Sequence, residues 1–116
     1  MIHKVCDALC LDTAGTDGPT SEFSKVVSVE GMNAVQAELV IYAYTSGTNA
    51  LSIYTQVSND GTNWQNLDPT AQTLDGIGRK LLNAETSVAA SLVRLYFSLG
   101  GSGKAVLDAH VAVSSQ

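Results

Sequence analysis

The amino-acid sequence predicts an all-β protein, an antiparallel β-sandwich of jelly-roll-like type with about seven or eight strands. Apolar and polar residues alternate with a period of two along most of the chain, as they do in strands with one buried face. Turns rich in Gly and Asn separate these alternating runs at short intervals. The chain has 116 residues, of which 45% are hydrophobic. That length favours one domain with a core that needs neither metal nor disulfide support.

Four runs of alternating residues predict the principal strands. In each run, aliphatic side chains occupy every second position and therefore share one face of a strand. These runs are Val35–Thr45, Leu51–Ser58, Leu92–Leu99 and Lys104–Ser114.

Weaker patterns predict the remaining elements. Shorter strands are expected over Phe23–Val29, near Ile2, over Trp64–Leu67 and over Arg79–Leu82. A single helical turn is expected around Asn83–Ala90, because Asn83 is a suitable N-cap and Glu85 would lie near the positive end of the helix dipole.

The N-terminal segment is expected to differ from the rest of the domain. Residues 1–20 are predicted to form an arm or an edge strand with a Gly-rich connection, and residues 21–116 the β-sandwich domain. A loosely tethered strand can pair with its own sheet or with an exposed edge of a neighbouring molecule. The apolar positions of the segment lead us to expect that it contributes to an intermolecular contact.

The stretch Asn59-Asp60-Gly61 predicts a hairpin turn, because these residue types tolerate the positive φ angles of tight turns. The only tryptophan, Trp64, follows on the returning segment. We expect its ring to cover the end of the core and its indole N–H to reach a loop carbonyl. The alternative is an exposed platform for a ligand.

Four tyrosines fall on predicted strands, at positions opposite the aliphatic faces: Tyr42, Tyr44, Tyr54 and Tyr96. Such positions suit a second buried face, a contact with a neighbouring subunit or a stripe that binds a ligand. Together with the turn residues and Trp64, they are the candidate structural or interface residues.

Charge excludes some classes of partner. The net charge is −5, and the six basic residues are scattered without a basic run, which disfavours direct binding of nucleic acid. No apolar run approaches the length of a membrane span. The N-terminal residues make a poor signal peptide, so synthesis in a cytoplasm is the default expectation. Charged residues are only 15% of the chain, below the usual quarter, which favours a surface partly covered by assembly.

No chemical site is predicted. Cys6 and Cys10 are the only cysteines and are expected to be free thiols, since a structural zinc site needs four ligands. Asp108 and His110 share one face of the last strand, but no nucleophile in a suitable motif accompanies them. The segment LGGSGKA mimics part of a phosphate-binding loop, yet the alternating residues after Lys104 predict a strand where such a loop needs a helix. We therefore expect no catalytic, cofactor-binding or metal-binding residues.

Two segments carry a resemblance to known families. YTQVSNDGTNWQNL resembles the S-x-D-G-x-x-W hairpin of discoidin-type (F5/8 C) and related jelly-roll domains. It is also similar to hairpins of small β-sandwich proteins from tailed-phage virions and phage-like particles. VRLYFSLGGSGKAVLDAHVAV is similar to the paired C-terminal strands of both groups. The resemblance covers roughly a third of the chain. Discoidin-type domains often carry cysteines near both ends, whereas Cys6 and Cys10 both lie near the N-terminus here.

The resemblance to particle proteins implies a non-enzymatic structural protein of a phage or phage-like particle, made in the bacterial cytoplasm without a signal peptide. Such a protein would oligomerise through its sheet edges and faces, and its partners would be copies of itself and other particle proteins, without direct contact to nucleic acid or membrane. The alternative is a carbohydrate-binding β-sandwich module, with a glycan as its ligand and with Trp64 and the tyrosines as the binding platform.

Overall fold

The computed structural model describes residues 2–13, 18–29, 32–44, 50–67, 72–74, 77–82, 85, 88–100 and 103–115. These residues contain ten strands and no helix, and so no helix that is long and apolar enough to cross a membrane. The strands are β1 (Ile2–Asp12), β2 (Ser21–Phe23), β3 (Val27–Ser28), β4 (Ala34–Tyr44), β5 (Ala50–Ser58), β6 (Gln65–Asn66), β7 (Gln72–Leu74), β8 (Gly78–Leu81), β9 (Leu92–Gly100) and β10 (Lys104–Ser114).

The strands form two antiparallel sheets. Sheet A has the order β1-β10-β4-β8, and sheet B has the order β2-β9-β5-β6, with β3 also paired to β9 and β7 to β5. The chain passes from one sheet to the other after β1, β3, β4, β7, β8 and β9. The predicted all-β antiparallel sandwich is therefore confirmed, although the described residues contain ten strands where seven or eight were expected.

The core lies between the sheets and is made from the alternating aliphatic positions of the long strands. Burial of each large aliphatic side chain contributes roughly 1.5–3 kcal/mol to folding, so the four central strands carry most of the hydrophobic stabilisation. The predicted inward residues that are buried are Val35, Ala37, Leu39, Ile41, Leu51, Ile53, Val93, Leu95, Phe97, Leu99, Ala105, Leu107, Ala109, Val111 and Val113.

The strand predicted over Phe23–Val29 is divided into β2 and β3. Ser24 is buried between them, where its hydroxyl accepts a hydrogen bond from the amide of Leu95 at 2.8 Å. The next amide, that of Lys25, donates to the carbonyl of Val5 in sheet A at 3.0 Å. Residues 24–26 therefore interrupt the strand in sheet B, and the bond of Lys25 joins the two sheets along this side.

The predicted face of Tyr44 is wrong, because β4 contains a bulge. Leu107 pairs with Ile41 whereas Val106 pairs with Ala43, so one residue of β4 has no partner in the register. Beyond the bulge the alternation is inverted: Ala43 is exposed, and Tyr44 packs against the core. Tyr42, in contrast, remains on the outer face of sheet A and is 54% exposed.

The N-terminal segment forms an edge strand of its own sheet. β1 pairs with β10 along its length and places Val5 and Leu11 in the core. Its outer side is flanked by the chain that follows: the amide of Asp12 donates to the carbonyl of Pro19, and Lys25 donates to Val5. A Cβ at Gly18 would lie 2.1 Å from the carbonyl oxygen of Cys10, so only glycine permits this close approach.

The helical turn predicted over Asn83–Ala90 is wrong for the part of that segment that is described. Glu85 and Val35 exchange two backbone hydrogen bonds of 2.8 and 2.9 Å and form an isolated antiparallel bridge. The amide of Val88 then donates to the carbonyl of Asn33. These long-range bonds extend the pairing of β4 and outweigh the weak local preference for a helix.

Candidate functional site

The loop between β5 and β6 is built by side chains that bond to its own backbone. The hydroxyl of Ser58 accepts hydrogen bonds from the amides of Asp60 and Gly61, and the carboxylate of Asp60 accepts from the amides of Thr62 and Asn63 at 2.9 and 2.8 Å. These donors hold the pKa of Asp60 well below its usual range. Gly61 has a φ of 77°, and β5 pairs with β6 in antiparallel fashion, so the predicted hairpin and its positive φ are confirmed.

The same loop is fastened to the rest of sheet B. The side-chain carbonyl of Asn59 accepts a hydrogen bond of 3.0 Å from the amide of Ser91, immediately before β9. The indole N–H of Trp64 donates to the carbonyl of Gly61 at 3.2 Å, as the sequence predicts. The ring of Trp64, however, does not belong to the core cluster of described residues.

Trp64 instead belongs to an aromatic–arginine stack on the outer face of sheet B, formed by Trp64, Arg94, Phe23 and Tyr96. The guanidinium carbon of Arg94 lies 4.1 Å from the ring centre of Trp64 and 3.7 Å from that of Phe23. The rings of Phe23 and Tyr96 are 4.9 Å apart between centres. The guanidinium thus contacts the faces of two aromatic rings, and burial lowers the pKa of Arg94.

The pairing register extends this stack into an ordered surface. Phe23 of β2, Tyr96 of β9 and Tyr54 of β5 are direct cross-strand neighbours and form an aromatic row. On one side of the row lie Gln56 and Asn66, whose side-chain amides hydrogen-bond to each other at 3.0 Å. On the other side, the register aligns a row of serines: Ser21, Ser98 and Ser52.

A cleft of about 370 Å³ lies on the outer face of sheet A, and we call it the sheet A cleft. Two aliphatic side chains border it, Ile2, which is 71% exposed, and Leu81, which is 62% exposed. The Nδ1 atom of His110 is buried there and has no hydrogen-bond partner within the described parts of the chain. The other lining residues are Gln36, Glu38, Arg79 and Ala112.

Beside the cleft, Asp108 joins three strands of sheet A. Its carboxylate accepts hydrogen bonds from the amide of Ala8 at 2.7 Å and from the hydroxyl of Tyr42 at 2.5 Å, and lies 3.5 Å from the Nζ of Lys4. These contacts lower the pKa of Asp108. Ala8 has a φ of 50°, so the carboxylate holds an irregular turn of β1 in place.

Asp108 and His110 have separate surroundings on the outer face of sheet A. The carboxylate of Asp108 is hydrogen-bonded to residues of β1 and β4, while the side chain of His110 lies in the sheet A cleft. In the described part of the chain, no hydrogen bond joins the two side chains. Within the same residues, no three His, Cys, Asp or Glu side chains are grouped as metal ligands. Cys6 and Cys10 are free thiols and are half-buried. Burial raises the pKa of Cys6 to about 11.

Sequence analysis identified the tyrosines and Trp64 but missed two residues of these surfaces. Phe23 and Arg94 give no local signal, because their contact depends on the pairing of β2 with β9. The tyrosines do not form one stripe: Tyr54 and Tyr96 face out from sheet B, Tyr42 faces out from sheet A, and Tyr44 packs on the core.

No family model and no curated protein matches this chain. A search of solved structures finds similarity to FLHE, known from a crystal structure, with 15% sequence identity and a TM-score of 0.42. The alignment covers 100% of this chain and 97% of that one. Nothing about function follows from a similarity at this level.

Proposed function

We propose that this protein is a non-enzymatic structural protein that assembles with copies of itself, as a component of a phage or phage-like particle. The observation that carries the proposal is the sheet A cleft with its exposed aliphatic border. Ile2 and Leu81 line the same cleft and are both more than 60% exposed. Large aliphatic side chains grouped in this way are typical of contact surfaces.

The cleft suits a second copy of the chain because it carries both signs of charge. Arg79 and Glu38 lie 3.3 Å apart within it. In a two-fold contact the same surface meets itself, so a surface with one cation and one anion can satisfy its own charges across the axis. Ile2 and Leu81 of each copy would then enter the cleft of the other.

The β1 edge of the sandwich is less suitable for this contact. Between Val5 and Asp12, β1 is flanked by residues 18–25 of its own chain. The contribution that we expect from residues 1–20 therefore comes from the side chain of Ile2 on the face of sheet A. Assignment to a particle rests on the sequence resemblance and on the low content of charged residues.

Light scattering after size exclusion tests the self-assembly. The expected result for the wild-type chain is a dimer or a larger closed oligomer, and Leu81→Lys should shift it towards the monomer by placing a charge in the contact. Val26→Lys is the matched control, since Val26 is 49% exposed on the connection between β2 and β3, away from the cleft. A wild-type monomer at all concentrations would refute the proposal.

The particle assignment needs a separate test. Genes for capsid, portal or tail proteins beside the gene for this chain would support it, and co-sedimentation of the chain with intact particles would establish it. Absence of the chain from purified particles of the same source would refute it, whatever its oligomeric state.

A further inference from the structure

We propose that the outer face of sheet B binds an uncharged carbohydrate, with Tyr54 and Tyr96 as the principal contacts. This proposal goes beyond assembly and does not depend on it, since it concerns the opposite sheet. The aromatic row Phe23–Tyr96–Tyr54 crosses three adjacent strands, so it spans about 10 Å at the usual strand spacing. That length matches one to two sugar rings.

The two tyrosines offer both kinds of contact that a sugar ring needs. One side of a pyranose carries mostly C–H groups, which pack on the electron-rich face of an aromatic ring. The hydroxyls around the ring require hydrogen-bond partners. The phenol hydroxyls of Tyr54 and Tyr96 form no hydrogen bond with a described residue, and neither is a buried polar atom without a partner. They are therefore available to a ligand.

The serine row supplies further hydrogen-bonding groups beside the aromatic row. Ser21, Ser98 and Ser52 occupy adjacent strands one pleat away from the tyrosines. Their hydroxyls make no hydrogen bond within the described residues. A hydroxyl can donate or accept, so a row of three can adapt to the donors and acceptors of a polyhydroxylated ligand.

The charge of the face selects a neutral ligand. Its central cation, Arg94, packs its guanidinium against Phe23 and Trp64 and donates its Nε–H to Gln56 at 2.9 Å, so part of its binding capacity is satisfied within the face. Trp64 therefore positions Arg94 and does not itself serve as the platform that was the alternative interpretation of the sequence. The remaining polar groups of the two rows are phenols and hydroxyls, which complement hydroxyl groups and provide no positive charge for a phosphate or a carboxylate.

Affinity electrophoresis in native gels containing soluble polysaccharides tests the proposal. The panel would comprise a β-glucan, a mannan and a galactan, all of which are uncharged. The expected result is retardation of the wild-type chain by at least one of them, unchanged when the salt concentration rises to about 0.5 M, because a neutral ligand leaves little charge to screen. No retardation by any member of the panel would overturn the proposal, as would retardation that salt abolishes.

Matched variants assign the binding to the two tyrosines. Tyr54→Ala should abolish the retardation, while Tyr54→Phe and Tyr96→Phe should each weaken it roughly 2- to 10-fold through the loss of one neutral hydrogen bond. Tyr42→Phe removes the same hydroxyl from the outer face of sheet A and should leave binding unchanged. Equal losses in Tyr42→Phe and Tyr54→Phe, with native circular dichroism in both, would place the ligand elsewhere and overturn the assignment.

Discussion

The stack of Trp64 on Arg94 predicts an unusually small cost for removing the only tryptophan. Replacing a tryptophan in a protein core by alanine lowers the free energy of unfolding by about 3–5 kcal/mol. Here the ring makes a cation–π contact worth roughly 0.5–2 kcal/mol and one indole hydrogen bond worth about 0.5–1.5 kcal/mol. Trp64→Ala should therefore lower the free energy of unfolding by roughly 1–3 kcal/mol.

Urea unfolding followed by far-UV circular dichroism measures this cost without relying on tryptophan fluorescence. Phe97→Ala serves as the core control, because Phe97 is completely buried and should cost about 3–5 kcal/mol. A double-mutant cycle of Trp64→Ala with Arg94→Met isolates the stacking contact, since methionine keeps an apolar stem but removes the cation.

The cycle should give a coupling energy of roughly 0.5–2 kcal/mol. Two outcomes would refute the reasoning. If Trp64→Ala costs as much as Phe97→Ala, the ring contributes to the core. If the coupling between Trp64 and Arg94 is zero within error, the stack observed in the structure does not contribute to stability.

Three further predictions concern the turn, a thiol and a buried carboxylate. Gly61→Val should cost about 1–2 kcal/mol in unfolding experiments, because a Cβ there would meet only Leu92 at 3.6 Å and the penalty comes from the φ of 77°; an unchanged melting temperature would contradict it. Cys6 should react with iodoacetamide at pH 7.5 far more slowly than a free peptide thiol, because its raised pKa of about 11 leaves little thiolate; if mass spectrometry showed alkylation of Cys6 at the rate of a peptide thiol, burial of this thiol would be contradicted. The pKa of Asp108 is lowered in the folded state, so its contribution to stability is present above the ordinary carboxylate pKa and is lost as the pH falls through the folded value. The melting temperature of Asp108→Asn should therefore lie below that of the wild type at pH 7, and the gap should narrow in acid; a gap independent of pH would mean that the carboxylate charge has no role.

The period-two pattern predicted the core because a strand with one buried face must alternate. Val93, Leu95, Phe97 and Leu99 show this directly: their spacing alone identified the inner face of β9. The loop from Asn59 was equally accessible to sequence reasoning, since its hydrogen bonds join residues two or three positions apart. Hydrogen bonds between residues so close in the chain can be predicted from the residue types alone.

Features that depend on register were not predictable in this way. The bulge in β4 turns Tyr44 inwards, yet apolar and polar residues alternate without interruption up to the bulge. Only the pairing of β4 with β10 shows where the register shifts by one residue. The division between β2 and β3 depends in the same way on the bond between Ser24 and Leu95, which are 71 residues apart. A one-residue shift exchanges the two faces of a strand, so an undetected bulge misplaces every side chain beyond it.

The same dependence on register explains why the two surfaces of this sandwich were not separated beforehand. On sequence alone, four tyrosines at outward positions are equally compatible with a second buried face, a subunit contact or a stripe that binds a ligand. In the fold, the pairing of β9 with β5 brings Tyr96 and Tyr54 together on sheet B, whereas the pairing of β10 with β4 directs Tyr42 to Asp108 on sheet A. A ligand on one sheet and a second copy of the chain on the other then occupy different faces. Leu81→Lys should accordingly change the oligomeric state without altering retardation by polysaccharide, and Tyr54→Ala should do the reverse. If either substitution changed both properties, a single shared surface would have to replace the two that the structure separates.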